Sequence, residues 1–74
     1  MEQVEFKIRA EFVELNQLLK LVGLCASGGA GKVLVASGEV RVDGKIELRK
    51  TCKIRAGQIV NFGKSRITVT ANVD

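Results

Sequence analysis

The feature that most constrains the fold is the spacing of apolar residues along the chain. They recur every two residues at first, then about every 3.6 residues, and then every two residues again. Residues 4–9 alternate apolar and charged side chains, as in a strand with one buried face. Residues 12–22 place apolar side chains at helical spacing, and after Gly38 the alternation returns. With 74 residues and no proline or linker, the chain is expected to form a single α+β domain over residues 1–74.

The first helix is predicted from an apolar stripe whose opposite side is polar. Gly23 follows the stripe and can adopt the left-handed conformation that ends a helix. The helix is therefore expected to begin near residue 12 and to end at Gly23. The stripe consists of Phe12, Leu15, Leu18, Leu19 and Val22.

A second helix is predicted between Ser27, a residue type that caps helix N-termini, and Gly38, with residues 32–36 as its body. Three glycines at positions 28, 29 and 31 weaken its first turn by up to about 1 kcal/mol each relative to alanine. We therefore expect the start of this helix to be irregular.

Four short strands are predicted after the helices, at residues 39–42, 45–49, 58–62 and 66–70. Together with the strand at residues 4–9 they give the predicted fold class. That class is α+β, with two short helices packed on a small mixed or antiparallel sheet of about five strands.

The hairpin over residues 40–48 can form in two registers. A two-residue turn pairs Val42 with Lys45 and Arg41 with Ile46, which mixes apolar and charged side chains on both faces. A three-residue loop pairs Val40 with Ile46 and Arg41 with Lys45, which keeps one face apolar. The three-residue loop is therefore predicted, although it places two cations opposite each other.

The absence of histidine limits the chemistry that the chain can perform. Its two cysteines lie 27 positions apart, which does not fit a zinc site, and no metal or cofactor is predicted. The acidic residues are scattered, with no spacing typical of a catalytic carboxylate pair. An enzyme is thus the weakest interpretation, and it would depend on Cys52, whose thiol pKa Lys50 and Lys53 could lower.

No segment predicts a membrane span or a secretory signal. The longest apolar run covers residues 33–36, whereas a span needs about 20 residues. The N-terminus lacks a basic stretch followed by an apolar one. We therefore expect a cytoplasmic, monomeric protein in which Cys25 and Cys52 are buried and reduced.

Residues 26–32 have the composition of a phosphate-binding loop but not its pattern. That pattern requires glycine where Ala26 stands and serine or threonine where Val33 stands, so nucleotide hydrolysis is not predicted. Two interpretations remain open. The backbone N–H groups beside Lys32 could hold one phosphate of a larger ligand, or the glycines could let the two helices pack closely.

Charge is distributed unequally between the two parts of the chain. Residues 1–31 hold three basic and four acidic residues, whereas residues 32–74 hold nine basic and four acidic ones. A basic half indicates a polyanionic partner, and a solubilising surface is the alternative explanation.

The order of these features resembles the S-four RNA-binding domain, named after ribosomal small-subunit protein four. The likeness covers a core at about residues 14–60, flanked by the strands at 4–9 and 66–70. Residues 49–54 are similar to the short stand-alone YbcJ-like bacterial members of the family. The matching positions are Leu15, Leu19, Gly23, Leu24, Ser27, Lys32, Gly38, Val40, Val42, Asp43, Gly44, Lys45 and Gly57.

The resemblance implies an αL motif, in which the helix pair and the hairpin form one surface that docks structured RNA such as ribosomal or transfer RNA. Larger members commonly have arginine where Gly28 stands, so the contribution of the helix is reduced. No attached catalytic domain is expected, so the resemblance implies a non-catalytic role. The positions that the resemblance assigns to RNA phosphates are Lys32, Arg41, Lys45, Arg49, Lys50 and Lys53.

The aromatic content also favours structured RNA, because proteins that bind single strands stack bases on exposed rings. The chain has only three aromatic residues, Phe6, Phe12 and Phe62, and all three are expected in the core. The six basic residues are expected on one side of the sheet. An electrostatic adaptor that binds an acidic protein partner through the same side is the alternative function.

Overall fold

The computed structural model describes residues 2–72, and these residues form two helices and a five-stranded mixed sheet. The order across the sheet is β1-β7-β6-β3-β4, and β1 runs parallel to β7 whereas the other neighbours are antiparallel. The predicted fold class is confirmed. The elements are β1 (Glu2–Ile8), β2 (Val13–Glu14), α1 (Leu15–Leu21), α2 (Gly28–Ala36), β3 (Val40–Val42), β4 (Lys45–Ile46), β5 (Lys53–Ile54), β6 (Ile59–Phe62) and β7 (Ser65–Ala71).

The hydrophobic core lies between the helices and one face of the sheet. Because side chains alternate along a strand, the residues between the core positions point to the other face. That outer face is more exposed and more polar, and it includes Lys7 and Thr68. The fully buried side chains of the core are Leu15, Leu18, Leu19, Val35, Val40, Ile54, Val60, Ile67 and Val69.

Helix α1 begins at Leu15, so the prediction of a helix from Phe12 is wrong. Val13 and Glu14 pair instead with β5 as a two-stranded antiparallel sheet. The C-terminal prediction is confirmed, because Gly23 has φ +83° and the N–H of Leu24 donates to the carbonyl of Leu19.

Helix α2 begins at Gly28, and its capping by Ser27 is confirmed. The Ser27 hydroxyl accepts a hydrogen bond from the Ala30 N–H at 3.1 Å. The expected irregular first turn is wrong, because the glycine-rich turn packs against α1. A Cβ atom at Gly31 would overlap the carbonyl oxygen of Asn16, so the close-packing interpretation holds at this position.

The hairpin between β3 and β4 has a two-residue turn, and the predicted three-residue loop is wrong. Asp43 and Gly44 have φ values of +52° and +85°, as in a type I′ turn, whose twist matches that of paired strands. Arg41 is therefore opposite Ile46, and Val42 is opposite Lys45. Ile46 is 52% exposed, which is tolerated because β4 is an edge strand.

The other predicted strands are found with shifted ends, as β1, β6 and β7. The pair formed by β2 and β5 was not predicted, since each strand has only two residues. Residues 1 and 73–74 of the predicted domain lie outside the described residues. Neither helix within residues 2–72 has the length and hydrophobicity that crossing a membrane requires.

Candidate nucleic-acid interface

The basic loop between β4 and β5 is attached to the start of α1. The N–H groups of Leu15 and Asn16 donate to the carbonyls of Cys52 and Lys50, at 2.8 and 3.1 Å. The first N–H groups of a helix have no partner within the helix, so these loop carbonyls satisfy two of them. The loop backbone is thereby fixed while its basic side chains remain exposed.

Asn16 joins α1, α2 and this loop. Its side chain is 2% exposed, and its Nδ2 donates to the carbonyl of Gly28 at 3.3 Å. Its backbone lies against Gly31, and its N–H holds the Lys50 carbonyl. The position of the basic loop therefore depends on the close packing of the two helices, a role for Asn16 that its sequence position between Leu15 and Gln17 did not indicate.

Four of the six predicted RNA-binding residues share one concave surface, which we call the cationic groove. Two adjoining depressions form it, and they have Arg49, Cys52 and Lys53 in common. Between residues 45 and 55 the chain has five basic residues and one acid, so the local charge is strongly positive. The basic residues that line the groove are Lys45, Arg49, Lys50 and Lys53.

The acid of this segment, Glu47, is paired with Arg49. Its carboxylate accepts hydrogen bonds from the Arg49 Nε at 3.0 Å, Nη2 at 2.8 Å and backbone N–H at 2.9 Å. These bonds, the side-chain ones first, lower the pKa of Glu47 to about 2. The Arg49 side chain stays 77% exposed, so the pair orients its guanidinium at the rim of the groove without burying it.

The turn of the hairpin is fixed to the start of β6 by Asp43. Its carboxylate accepts from the Gln58 side chain and from the Ile59 N–H, both at 3.0 Å. These hydrogen bonds, that of Gln58 first, hold the pKa of Asp43 below its ordinary value. Because Lys45 follows the turn directly, this anchoring holds Lys45 beside Gln58 at the edge of the groove.

The other two predicted residues, Lys32 and Arg41, do not line the groove. Arg41 pairs with Asn61 and Ile46, so it points to the outer face of the sheet, and its Nη1 lies 3.4 Å from the Gly44 carbonyl. Lys32 is exposed on α2, next to the glycine that packs on Asn16. The expectation that all six residues lie on one side of the sheet is thus wrong for Arg41.

Phe12 is half-buried outside the core, so its assignment to the core is wrong, whereas Phe6 and Phe62 pack against the core. The Nζ of Lys53 lies 4.9 Å and the Cζ of Arg55 5.8 Å from the centroid of the Phe12 ring. These are cation–π distances. Arg55 was not among the predicted residues, although it follows Lys53 by two positions, the spacing at which side chains of an extended segment share a face.

Both cysteines are free and half-buried, rather than fully buried as expected. The Cys52 thiol donates to Glu47 Oε1 at 3.5 Å. Burial first, and the Glu47 carboxylate second, raise the pKa of this thiol, which contradicts the lowered value that an enzyme or redox role would need. Within residues 2–72, no three His, Cys, Asp or Glu side chains cluster as metal ligands would.

A close pair of short helices joined to a hairpin and a basic loop on a small mixed sheet defines an α+β module with the features of the αL motif. Comparison with known proteins agrees with this class. The profile of the S4 domain family matches residues 6–70, and the chain belongs to this family.

Two curated relatives are similar over most of the chain. YbcJ of Escherichia coli strain K12, whose name gives it as a candidate RNA-binding protein, is 51% identical over 59 residues, which are 80% of this chain and 84% of YbcJ. YbcJ of Shigella flexneri, whose name states no function, is also 51% identical over 59 residues. The solution structure of E. coli YbcJ, described as revealing an αL motif involved in RNA binding, superposes with a TM-score of 0.68 at 44% identity. That match covers 96% of this chain and 89% of the YbcJ chain.

Proposed function

We propose that the chain is a non-catalytic protein that docks structured RNA, of the ribosomal or transfer RNA kind, with RNA phosphates in the cationic groove. The observation that carries the proposal is the convergence of Lys45, Arg49, Lys50 and Lys53 on one groove. Membership of the S4 domain family, the name of E. coli YbcJ and the description of its solution structure support RNA as the polyanion.

The charges of the groove suit phosphates because most of them are not neutralised within the protein. Among residues 2–72, the single salt bridge is the one between Arg49 and Glu47. The ammonium groups of Lys45, Lys50 and Lys53 can therefore replace the counterions of an RNA backbone, and counterion release drives such binding. Contacts between lysine side chains and RNA phosphates carry little sequence information, and this fits recognition of RNA shape.

We rank the six predicted residues by their position relative to the cationic groove. Lys45, Lys50 and Lys53 contact phosphates in the groove, and Arg49 does so with the N–H groups that Glu47 leaves unused. Lys32 extends the surface along α2. Arg41, on the outer face, contributes least. We place this activity in the cytoplasm with the chain as a monomer, and the free thiols of both cysteines agree with a reducing compartment.

The test compares two variants that lose the same charge. Lys45→Ala/Lys50→Ala removes two cations of the groove. The control, Lys64→Ala/Arg66→Ala, removes two cations that follow β6 in sequence, at the end of the sheet where Val40 pairs with Phe62 and away from the groove. Fluorescence anisotropy with a labelled RNA hairpin should show a loss of about tenfold or more for the groove variant at low salt, and little change for the control. Equal affinities of the two variants would contradict the proposal.

A protein-binding adaptor is the second candidate, because two apolar side chains are exposed next to the groove. Ile46 is 52% and Leu48 61% exposed. An adaptor should co-purify with an acidic protein that survives ribonuclease treatment. An RNA-binding protein should instead co-purify with material that absorbs near 260 nm and that ribonuclease removes.

A further inference from the structure

Phe12 is a half-buried ring in a loop, and the core does not need it. It lies outside the buried cluster and outside the set of apolar residues packed against that cluster. The described structure holds two cations against this ring, Lys53 and Arg55, at 4.9 and 5.8 Å from its centroid. Phe12 is half-buried and both cations lie over its ring, so aromatic surface and positive charge occur together, a combination that suits a ligand with an aromatic part and an anionic part.

The ring borders a concave surface, which we call the aromatic groove. Its lining is almost wholly apolar, although Lys7 and Arg9 also contribute to it. The aromatic groove adjoins the cationic groove, because β2 pairs with β5. Lys53 of β5 lines the cationic groove, and its Nζ lies over the Phe12 ring. The apolar residues of the lining are Phe6, Ile8, Ala10, Phe12 and Val13.

The charges at the rim fit an anionic ligand. Arg9 belongs to the lining, Lys53 and Arg55 lie over the Phe12 ring, and none of these three cations forms a salt bridge with another residue of the range 2–72. Two acids lie nearby, Glu11 next to Phe12 and Glu14 opposite Lys53, and both are exposed. The rim therefore keeps an excess of positive charge around an apolar floor.

We propose that the aromatic groove binds one unpaired nucleotide of the RNA, with its base against Phe12 and its phosphate on Lys53 and Arg55. This inference rests on the proposed function and refines it, because it specifies an RNA in which a base has left the helix at a bulge, loop or end. A base–aromatic contact contributes whichever base is present, since every base has a π-face. The phosphates on both sides of that nucleotide then continue into the cationic groove.

The first experiment uses two RNA hairpins that differ by one nucleotide. One has a single bulged uridine in its stem, and the other has the same stem fully paired. Phe12→Leu keeps an apolar side chain but removes the ring, whereas Phe12→Tyr keeps the ring. Loss of base stacking typically weakens binding roughly five- to a hundredfold. We expect Phe12→Leu to lose about fivefold or more on the bulged hairpin and less than twofold on the paired one, and Phe12→Tyr to bind like the wild type.

The second experiment uses a fluorescent reporter, which is possible because the chain has no tryptophan. Phe12→Trp places an indole at the site, and Thr68→Trp places one on the exposed outer face of β7 as the matched control. Stacking of a base should quench the first indole saturably with the bulged hairpin, and the second should not respond. Thermal unfolding of each variant shows that the comparison is made on folded proteins.

The outcomes separate the two proposals. Equal affinities of wild type and Phe12→Leu on the bulged hairpin, or equal losses on both hairpins, overturn the nucleotide site while RNA binding in the cationic groove stands. Absence of quenching in Phe12→Trp overturns it too. If the wild type binds neither hairpin, the nucleotide site fails together with the proposed function.

Discussion

The cationic groove and the aromatic groove meet at Lys53, but they surround their cations differently. In the cationic groove the basic side chains lie among polar groups, and the loop that carries them is held by the helix pair through Asn16. In the aromatic groove the cations surround an apolar floor formed by β1 and the loop after it. Cations that lie among polar groups suit the phosphates of an RNA backbone. Cations that lie around an apolar surface suit a whole nucleotide, because its base can contact the apolar side chains and its phosphate the cations. One module thereby offers two kinds of contact to one RNA.

The largest effect is expected where the helices meet under the cationic groove. Gly31→Ala places a Cβ atom against the Asn16 backbone, and overpacking of this kind destabilises by about 1–3 kcal/mol. Because the Asn16 N–H also holds the Lys50 carbonyl, RNA binding should weaken along with the free energy of unfolding. Chemical denaturation with RNA titration of the folded variant measures both.

The matched control is Gly29→Ala in the same helical turn. Its nearest neighbour would be the Ser27 hydroxyl at 3.8 Å, an ordinary contact. Alanine favours a helix over glycine by up to about 1 kcal/mol, so this variant should be as stable as the wild type or more stable. A stability of Gly31→Ala equal to that of Gly29→Ala would show that the close approach of the helices is not needed.

Salt dependence should distinguish the two grooves. Four phosphate contacts predict a slope of about −3 to −4 in a plot of log affinity against log salt, by analogy with studied nucleic-acid complexes. Lys50→Ala should reduce that slope by about 0.7 to 0.9, since one phosphate contact is lost. Phe12→Leu should lower affinity for the bulged hairpin with the slope unchanged. A slope that is the same for Lys50→Ala and wild type would remove Lys50 from the phosphate contacts.

A smaller effect should separate the two faces of the hairpin. Arg41 and Lys45 are four residues apart but lie on opposite faces of the sheet. Arg41→Ala should change RNA affinity by less than about twofold, whereas Lys45→Ala should reduce it several-fold, because each phosphate contact contributes through counterion release. Anisotropy titrations at one salt concentration suffice. Losses of equal size would place the RNA across the edge of β4.

The smallest effect is expected on the stability of the fold at low pH, through the carboxylate of Glu47. Its pKa is lowered from 4.5 to about 2 in the folded protein, so the carboxylate stabilises the fold fully above the unfolded value of 4.5. That stabilisation should be lost as the pH falls from about 4.5 toward 2. Thermal unfolding midpoints at several pH values should show a modest decline in this range, and the decline should be smaller in Glu47→Gln. An identical decline in both proteins would assign it to other carboxylates.

Much of the fold follows from apolar spacing and capping residues. The end of α1 at Gly23 and the cap of α2 at Ser27 depend on interactions within a few residues, and such local interactions are visible in a sequence. The start of α1 is different. Phe12 fits the helical stripe, but Val13 and Glu14 pair with residues 53–54, which lie about forty positions away. A pairing of two residues at that separation leaves no periodic signal.

The candidate site was predicted in composition more than in arrangement. The basic residues of the loop converge as expected, because a short loop keeps its side chains together. Arg41 was grouped with Lys45 because the predicted three-residue loop pairs the two, whereas the observed two-residue turn pairs Lys45 with Val42 and so places it on the other face. The aromatic groove was missed because Phe12 fits a core position in the predicted helix, and only the tertiary structure shows that the ring stays outside the core.

An amide NMR titration with the bulged RNA hairpin tests the central claim most directly, because every strand of the sheet is observed at once. The account predicts that resonances of residues 45–53 and of the first residues of α1 shift, together with Phe12 and its neighbours. Resonances of the outer face, such as those of Gln3, Glu5 and Thr68, should remain in place. Shifts concentrated on that outer face, with residues 45–53 unchanged, would contradict it.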